Sequence, residues 1–317
     1  MGRTQPSGTD HHRYRSAEFA LMRLVATIIF LVTLMVRFTL ATSIQISRSE
    51  KYAELGKFTE ITICNALPKM EKTFGKTDRP IHFILAGSDS EFIRYTRSRL
   101  PDWVGAATIF PPGIVVMKTP DYAHTTLRQY RTTILHELTH VMQGQSVPLN
   151  LTPVWFSEGL AVYLSEEFNS QSRVIVSLAM AKKRLIPLAQ LSDFLRLGSS
   201  TAELAYSESG TLIEYLAVVY GETLFQEILN AMKHGKDFET ALALATNIEP
   251  ADFEFHWREY LSKNYQWVFL LDIQYILWVV MTILVVLAWL SIRKRNKTTI
   301  KKWDEQEQKE QIYLGKM

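Results

Sequence analysis

The sequence predicts an α+β domain followed by one membrane-spanning helix, and three observations predict it. Strand-like runs are confined to the first half, "IHFILAG" at 81–87 and "ATIFPPGIVVMKT" at 107–119. From about Thr125 onward the apolar spacing is almost wholly helical. Twenty residues without a charge then run from Ile273 to Ile292, long enough to cross the hydrocarbon core of a bilayer.

Taken in order, the first feature is "LVATIIFLVTLMV" from Leu24 to Val36, bounded by Arg23 and Arg37. Its thirteen residues suit a signal-peptide hydrophobic region. Arg3, Arg13 and Arg15 precede it, and Ala41–Ser43 resembles a small-residue cleavage site. An uncleaved anchor from Phe19 to Ala41 is the other reading, so residues 1–43 are a signal peptide or an N-terminal anchor. The stretch 51–75 reads as an amphipathic helix that ends near Gly75 and that Pro68 would break or kink. A strand follows at 81–87. Residues 89–100 read as a helix capped by a serine or an aspartate, and 107–119 as two short strands around a Pro-Pro-Gly turn.

At the far end, Trp267, Tyr275 and Trp278 sit toward one membrane interface and Trp289 toward the other. "RKRNKTTIKK" follows at once. The positive-inside rule places this tail in the cytoplasm. The expected organisation is therefore an extracytoplasmic domain over 44–264, a transmembrane segment over 265–292 and a basic cytoplasmic tail over 293–317, in the cytoplasmic (plasma) membrane.

Composition agrees with a folded chain, at 47% hydrophobic and 21% charged residues. The formal net charge of +3 comes from the ends. Four arginines oppose Asp10 and Glu18 in the first 23 residues, and basic residues outnumber acids from Arg293 on, leaving the middle net negative. That distribution points away from nucleic acid as a partner. The single cysteine, Cys64, has no intramolecular partner for a disulfide.

The chemistry is concentrated in "RTTILHELTHVMQGQ" at 131–145. Residues four apart share a helix face, so His136 and His140 can turn ring nitrogens to one ion. Glu137 lies about 100° round the helix, within reach of a water at that ion. Zinc takes neutral imidazoles, commonly with a third protein ligand and one open position, and acidifies water for a carboxylate base. An amphipathic helix can also spell this pentapeptide by chance. The next stretch, "LTPVWFSEGLAVYL" at 151–164, adds weight. Thr152 is a candidate cap with Pro153 at the first helical position, and Glu158 follows in the first turns. A second helix packed antiparallel to the first would turn this carboxylate toward the histidines.

"HELTH" followed by "PVWFSEGLAVYL" resembles the gluzincin zinc metallopeptidases, most of all their membrane-associated peptidase-MA-like branch. "RPIHFIL" resembles that family's core strand and "GIVVMKT" its edge strand. "LIPLAQL", "AYSESGTLIEYLAVVYG" and "FHWREYL" resemble its C-terminal helices, and the likeness covers about residues 50–262. The resemblance implies a gluzincin-like fold, with a small mixed sheet, the motif helix and a helical lobe. It implies one zinc ion held by His136, His140 and Glu158, with Glu137 as general base. It implies an oxyanion donor, for which Tyr206, placed just ahead of a helix, is the candidate. It also implies a peptide or protein substrate held in extended form along Gly113–Thr119. The chain departs from several gluzincins at Val162, where an acidic residue would orient the first histidine. That departure keeps a catalytically weak zinc-binding receptor or scaffold of the same fold as the alternative. Oligomeric state is not legible.

Overall fold

A computed structural model describes residues 43–101, 104–192, 199–271 and 273–314. The N-terminal segment Leu24–Val36, with its signal-peptide or anchor reading, lies outside the described residues. The architecture is mixed α and β, mostly helical, with one small sheet. The chain forms two compact units, one up to Leu151 together with Phe225–Lys236, the other Thr152–Leu224 with Asp237 onward.

The first unit is built on strands β1 (Ile44–Ser47), β2 (Ile81–Ala86), β3 (Ala106–Ile109) and β4 (Ile114–Lys118) in the order β1-β2-β4-β3. β1 and β4 flank β2 in parallel, and β3 runs antiparallel to β4 with Thr108 opposite Val115. Helix α1 (Ala53–Phe74) connects β1 to β2, and α2 (Asp89–Thr96) follows β2. Ser88 caps α2, its hydroxyl accepting from the Glu91 amide. A single turn, Pro120–Ala123, leads to α3 (Leu127–Ser146).

Period-2 alternation sorts the strand side chains. Ile84, Ala86 and Val116 gather with Phe92 of α2, and Ala107, Ile109 and Ile114 pack on that cluster. Phe83, Leu85, Val115 and Met117 alternate with them and are buried too. A sheet buried on both faces reads as a near-continuous apolar run, which is why β2 and β4 were legible. α1 and α3 pack together, with the Thr59 and Tyr130 hydroxyls 3.1 Å apart and the Thr139 hydroxyl against Met70 Sδ.

Three sequence expectations need correction. The strand from Gly113 to Thr119 is not an edge. β4 is paired on both sides, and β3 is the edge strand at that end of the sheet. Its backbone groups are engaged by neighbours, so it has no free row for an extended substrate. Pro68 does not interrupt α1, which runs through it to Phe74. The segment "LIPLAQL" is only a short 3-10 turn within Leu188–Ser192.

The second unit is helical: α4 (Val154–Leu164), α5 (Ser170–Ala181), α6 (Ser199–Tyr220), α8 (Phe238–Thr246) and α9 (Pro250–Asn264). Between α6 and α8, helix α7 (Thr223–Lys233) returns to the first unit, where Lys233 Nζ donates to the Phe74 carbonyl at the C-terminus of α1. The second unit's core is aromatic. Trp155 stacks on Phe253 and meets Phe156 and Phe238 edge-on. Truncating a buried aromatic of this kind costs roughly 3–5 kcal/mol, so α4 is firmly seated.

The last helix, α10 (Ile273–Leu314), follows a 3-10 turn at Val268–Leu271. Ser177 of α5 ties that turn down, donating to the Tyr265 carbonyl at 2.5 Å and accepting from the Phe269 amide at 2.9 Å. The stretch Ile276–Gln308 contains a window long and apolar enough to cross a membrane, with none of it buried in the protein.

Candidate metal centre

The motif helix begins with a capping box. The Thr126 hydroxyl accepts from the Gln129 amide, and the Gln129 side chain accepts from the Thr126 amide. With its N-terminus fixed, α3 presents His136, His140 and Gly144 down one face at four-residue intervals. The two imidazoles meet edge to face, with centroids 5.0 Å apart and Nε2 to Nε2 3.2 Å. Two nitrogens bound at about 2.0–2.1 Å to one tetrahedral ion lie roughly 3.3 Å apart. The pair is thus spaced as ligands of one ion would be.

α4 starts at Val154, one residue later than a Thr152 cap predicts, and Pro153 occupies the cap position. Thr152 instead shares a hydrogen bond of 2.8 Å with the Ser157 hydroxyl. Glu158 follows in the second turn, and its helix is drawn tight against α6. A β-carbon on Gly159 would lie 2.5 Å from the Ser209 carbonyl oxygen. One ligand-type atom each from His136, His140 and Glu158 can be chosen so that all lie within 4.8 Å of one another. Two imidazoles and a carboxylate suit zinc as a donor set, and they fit one ion.

Glu137 is buried at 8% exposure, and His140 keeps 9% of its surface. A carboxylate this enclosed needs a hydrogen-bond donor. Thr108 of β3 supplies one, its hydroxyl donating to Glu137 Oε2. Sequence reasoning missed Thr108. It lies 29 positions from Glu137, and no periodic signal links a strand threonine to a helix glutamate. Tyr206 sits inside α6 rather than ahead of it, and is half-buried. Val162, one turn beyond Glu158, is buried and carries no polar atom that could orient a histidine.

Two imidazoles on one helix and a carboxylate from the next form a cluster that could hold one metal ion, and the first helix carries the His-Glu-x-x-His pattern. The model of the Peptidase MA superfamily matches residues 65–263, most of the chain, and the protein belongs to that superfamily. No curated protein and no solved structure gives a significant match to the chain.

Proposed function

We propose that the protein is a membrane-tethered, zinc-dependent metallopeptidase of the gluzincin type that hydrolyses peptide bonds. The observation that carries this reading is the convergence of His136, His140 and Glu158 beside the buried Glu137. His136 and His140 would hold the ion through imidazole nitrogen and Glu158 through carboxylate oxygen. Bound zinc supplies a Lewis acid that acidifies water and polarises a carbonyl. Glu137 takes the proton of the attacking water and delivers it to the leaving amine nitrogen. Tyr206 donates its phenolic hydrogen to the oxygen on which negative charge develops. An extended peptide or protein substrate would lie along β3, the edge strand nearer the motif in sequence, main chain to main chain.

Membrane attachment rests on the apolar half of α10 and the basic residues after it. In this reading residues 44–264 are the extracytoplasmic peptidase domain, preceded by a signal peptide or N-terminal anchor over 1–43. Residues 265–292 cross the plasma membrane, and 293–317 form the cytoplasmic tail. The alternative is a catalytically weak zinc-binding receptor or scaffold. Val162 favours it, because several gluzincins carry an acidic residue at that position to orient the first histidine. The intact, buried Glu137 favours the enzyme.

The test uses the full chain in detergent, as wild type and as Glu137→Ala. Zinc per chain and cleavage of a mixture of unfolded proteins are measured for both. One zinc in each with cleavage by the wild type alone supports the peptidase. Zinc in both without cleavage favours the scaffold, and folded protein without zinc ends both readings.

A further inference from the structure

The geometry points to Thr108 as the positioning residue for Glu137, a hydroxyl that holds one carboxylate oxygen and so presents the other to the reacting water. This rests on the peptidase reading above and adds to it a residue that neither motif contains. The terminal torsion of a glutamate is broad, so an unrestrained carboxylate samples many planes. A donor bound to Oε2 alone selects one plane and leaves Oε1 available.

Thr108 is placed to do this by its strand. Ala107 and Ile109 turn into the cluster of Ile84, Ala86, Phe92 and Val116, so alternation sends Thr108 to the other face. There it reaches Glu137 on α3. β3 is pinned on either side of it. The Lys118 amide donates to the Gly105 carbonyl at 2.9 Å, and the Gly113 amide to the Ile109 carbonyl at 2.8 Å. Phe110, two residues on, rests over Gly144, where a β-carbon would come within 2.4 Å of its ring. Gly144 lies one turn past His140 on the motif face, so the absence of a side chain there lets strand and helix approach. The hydroxyl is thus delivered by backbone geometry at both ends of the bond.

A purely structural role for Thr108, holding β3 to α3, predicts something different, and ligand binding separates the two. A hydroxamate and a thiol are built on the same hydrophobic dipeptide. Both bind zinc, but only the hydroxamate also hydrogen-bonds to the base carboxylate. Each is titrated calorimetrically into the zinc-loaded full chain in detergent, as wild type, Glu137→Ala, Thr108→Val and Thr108→Ser. The expected result is that Thr108→Val weakens the hydroxamate about tenfold, the scale of a lost charge-assisted hydrogen bond. Thiol affinity and zinc content should stay at the wild-type value, and Thr108→Ser should restore the hydroxamate. On a peptide substrate kcat should fall by a similar factor with KM unchanged. Wild-type hydroxamate affinity in Thr108→Val, alongside a loss in Glu137→Ala, would overturn the inference and leave the peptidase reading standing. Equal weakening of both ligands, without rescue by serine, would assign Thr108 to structure and overturn it too. A chain whose hydroxamate binding ignores Glu137→Ala would remove the reading and the inference together.

Discussion

Gly159 and Ser209 meet so closely that a β-carbon on the glycine would stand 2.5 Å from the serine's carbonyl oxygen and 2.7 Å from Ile213 Cγ1. The obstacle is backbone, which a rotamer change cannot clear. Gly159→Ala should therefore force α4 and α6 apart and destabilise the protein by about 1–3 kcal/mol. Because the preceding residue is Glu158, zinc affinity should fall with it. Thermal unfolding and a competitive zinc titration check this. A lower midpoint with wild-type zinc affinity would show that the ligand position is independent of this helix contact.

Removing the proposed third ligand outright gives a cleaner signal. Glu158→Ala leaves the His136–His140 pair within α3 undisturbed, so folding should be nearly unchanged while zinc affinity falls by at least a hundredfold. Losing a direct ligand should cost more than the 10–100-fold typical of outer-shell changes. Dialysis against a graded chelator series, read by atomic absorption, measures it. Equal zinc retention by wild type and variant would exclude Glu158 from the metal set.

A second carboxylate in the helical unit behaves differently. Glu208 is fully buried and accepts the Ile186 amide at 3.1 and 3.2 Å. Burial pushes its carboxyl up to about 8, against the downward pull of the Ile186 amide and Arg258. The folded chain thus binds this proton more tightly than the unfolded chain, whose glutamates titrate near 4.5. The contribution of this group to stability is full below pH 4.5 and is lost as pH rises toward 8. The loss is on the order of 2–4 kcal/mol. Glu208→Gln keeps an acceptor for Ile186 without the charge, so it should flatten this part of the profile and be the more stable protein at pH 8. Urea midpoints at pH 5 and pH 8 provide the comparison, and parallel slopes for the two proteins would count against the assignment.

Glu214 gathers three donors. Arg173 reaches Oε1 through Nη2 at 2.6 Å and Nε at 3.2 Å, and the hydroxyls of Tyr260 and Tyr265 approach Oε2. Burial pushes the Tyr260 hydroxyl up to about 12 and that of Tyr265 further still, so both remain donors at any working pH. Glu214→Ala strands these groups and should cost about 2 kcal/mol, a figure kept low because Arg173 is partly exposed. Glu214→Gln should cost less. Tyr265 also carries the carbonyl that Ser177 holds, so proteolysis within 265–271 should speed up in the alanine variant. Unchanged digestion would separate the cluster from the segment ahead of α10.

Much of the candidate site was legible because its residues are local in sequence. His136 and His140 lie one helical turn apart with Glu137 directly after the first, and the proline-marked helix start puts Glu158 close behind. What is set by long-range pairing was not legible. β1 is only four residues with alternate exposure, too short for a periodic signal, and it is ordered by pairing with β2. That β4 is flanked on both sides follows from strand order, which a run of Ile and Val does not encode. Thr108 was invisible for the same reason, since its partner is fixed by how β3 crosses α3. Tyr206 was expected just ahead of a helix, but α6 begins at Ser199 and runs through it, with Ser207 and Ser209 inside. Both serines are buried there.

The helix that ends the described chain is one rod, unbroken from Ile273 to Leu314. At 1.5 Å per residue it is about 63 Å long, roughly twice the hydrocarbon thickness of a bilayer. In a membrane, the stretch beyond Ile292 would act as a lever arm fulcrumed at the lipid surface. A tilt of about 10° in the span would swing its tip by several ångströms, on the order of 6 Å for an arm of this length. If Ile273–Ile292 crosses a bilayer, a continuous helix of that kind would turn a tilt of the span into displacement beyond the lipid, which a flexible tail of equal charge could not do.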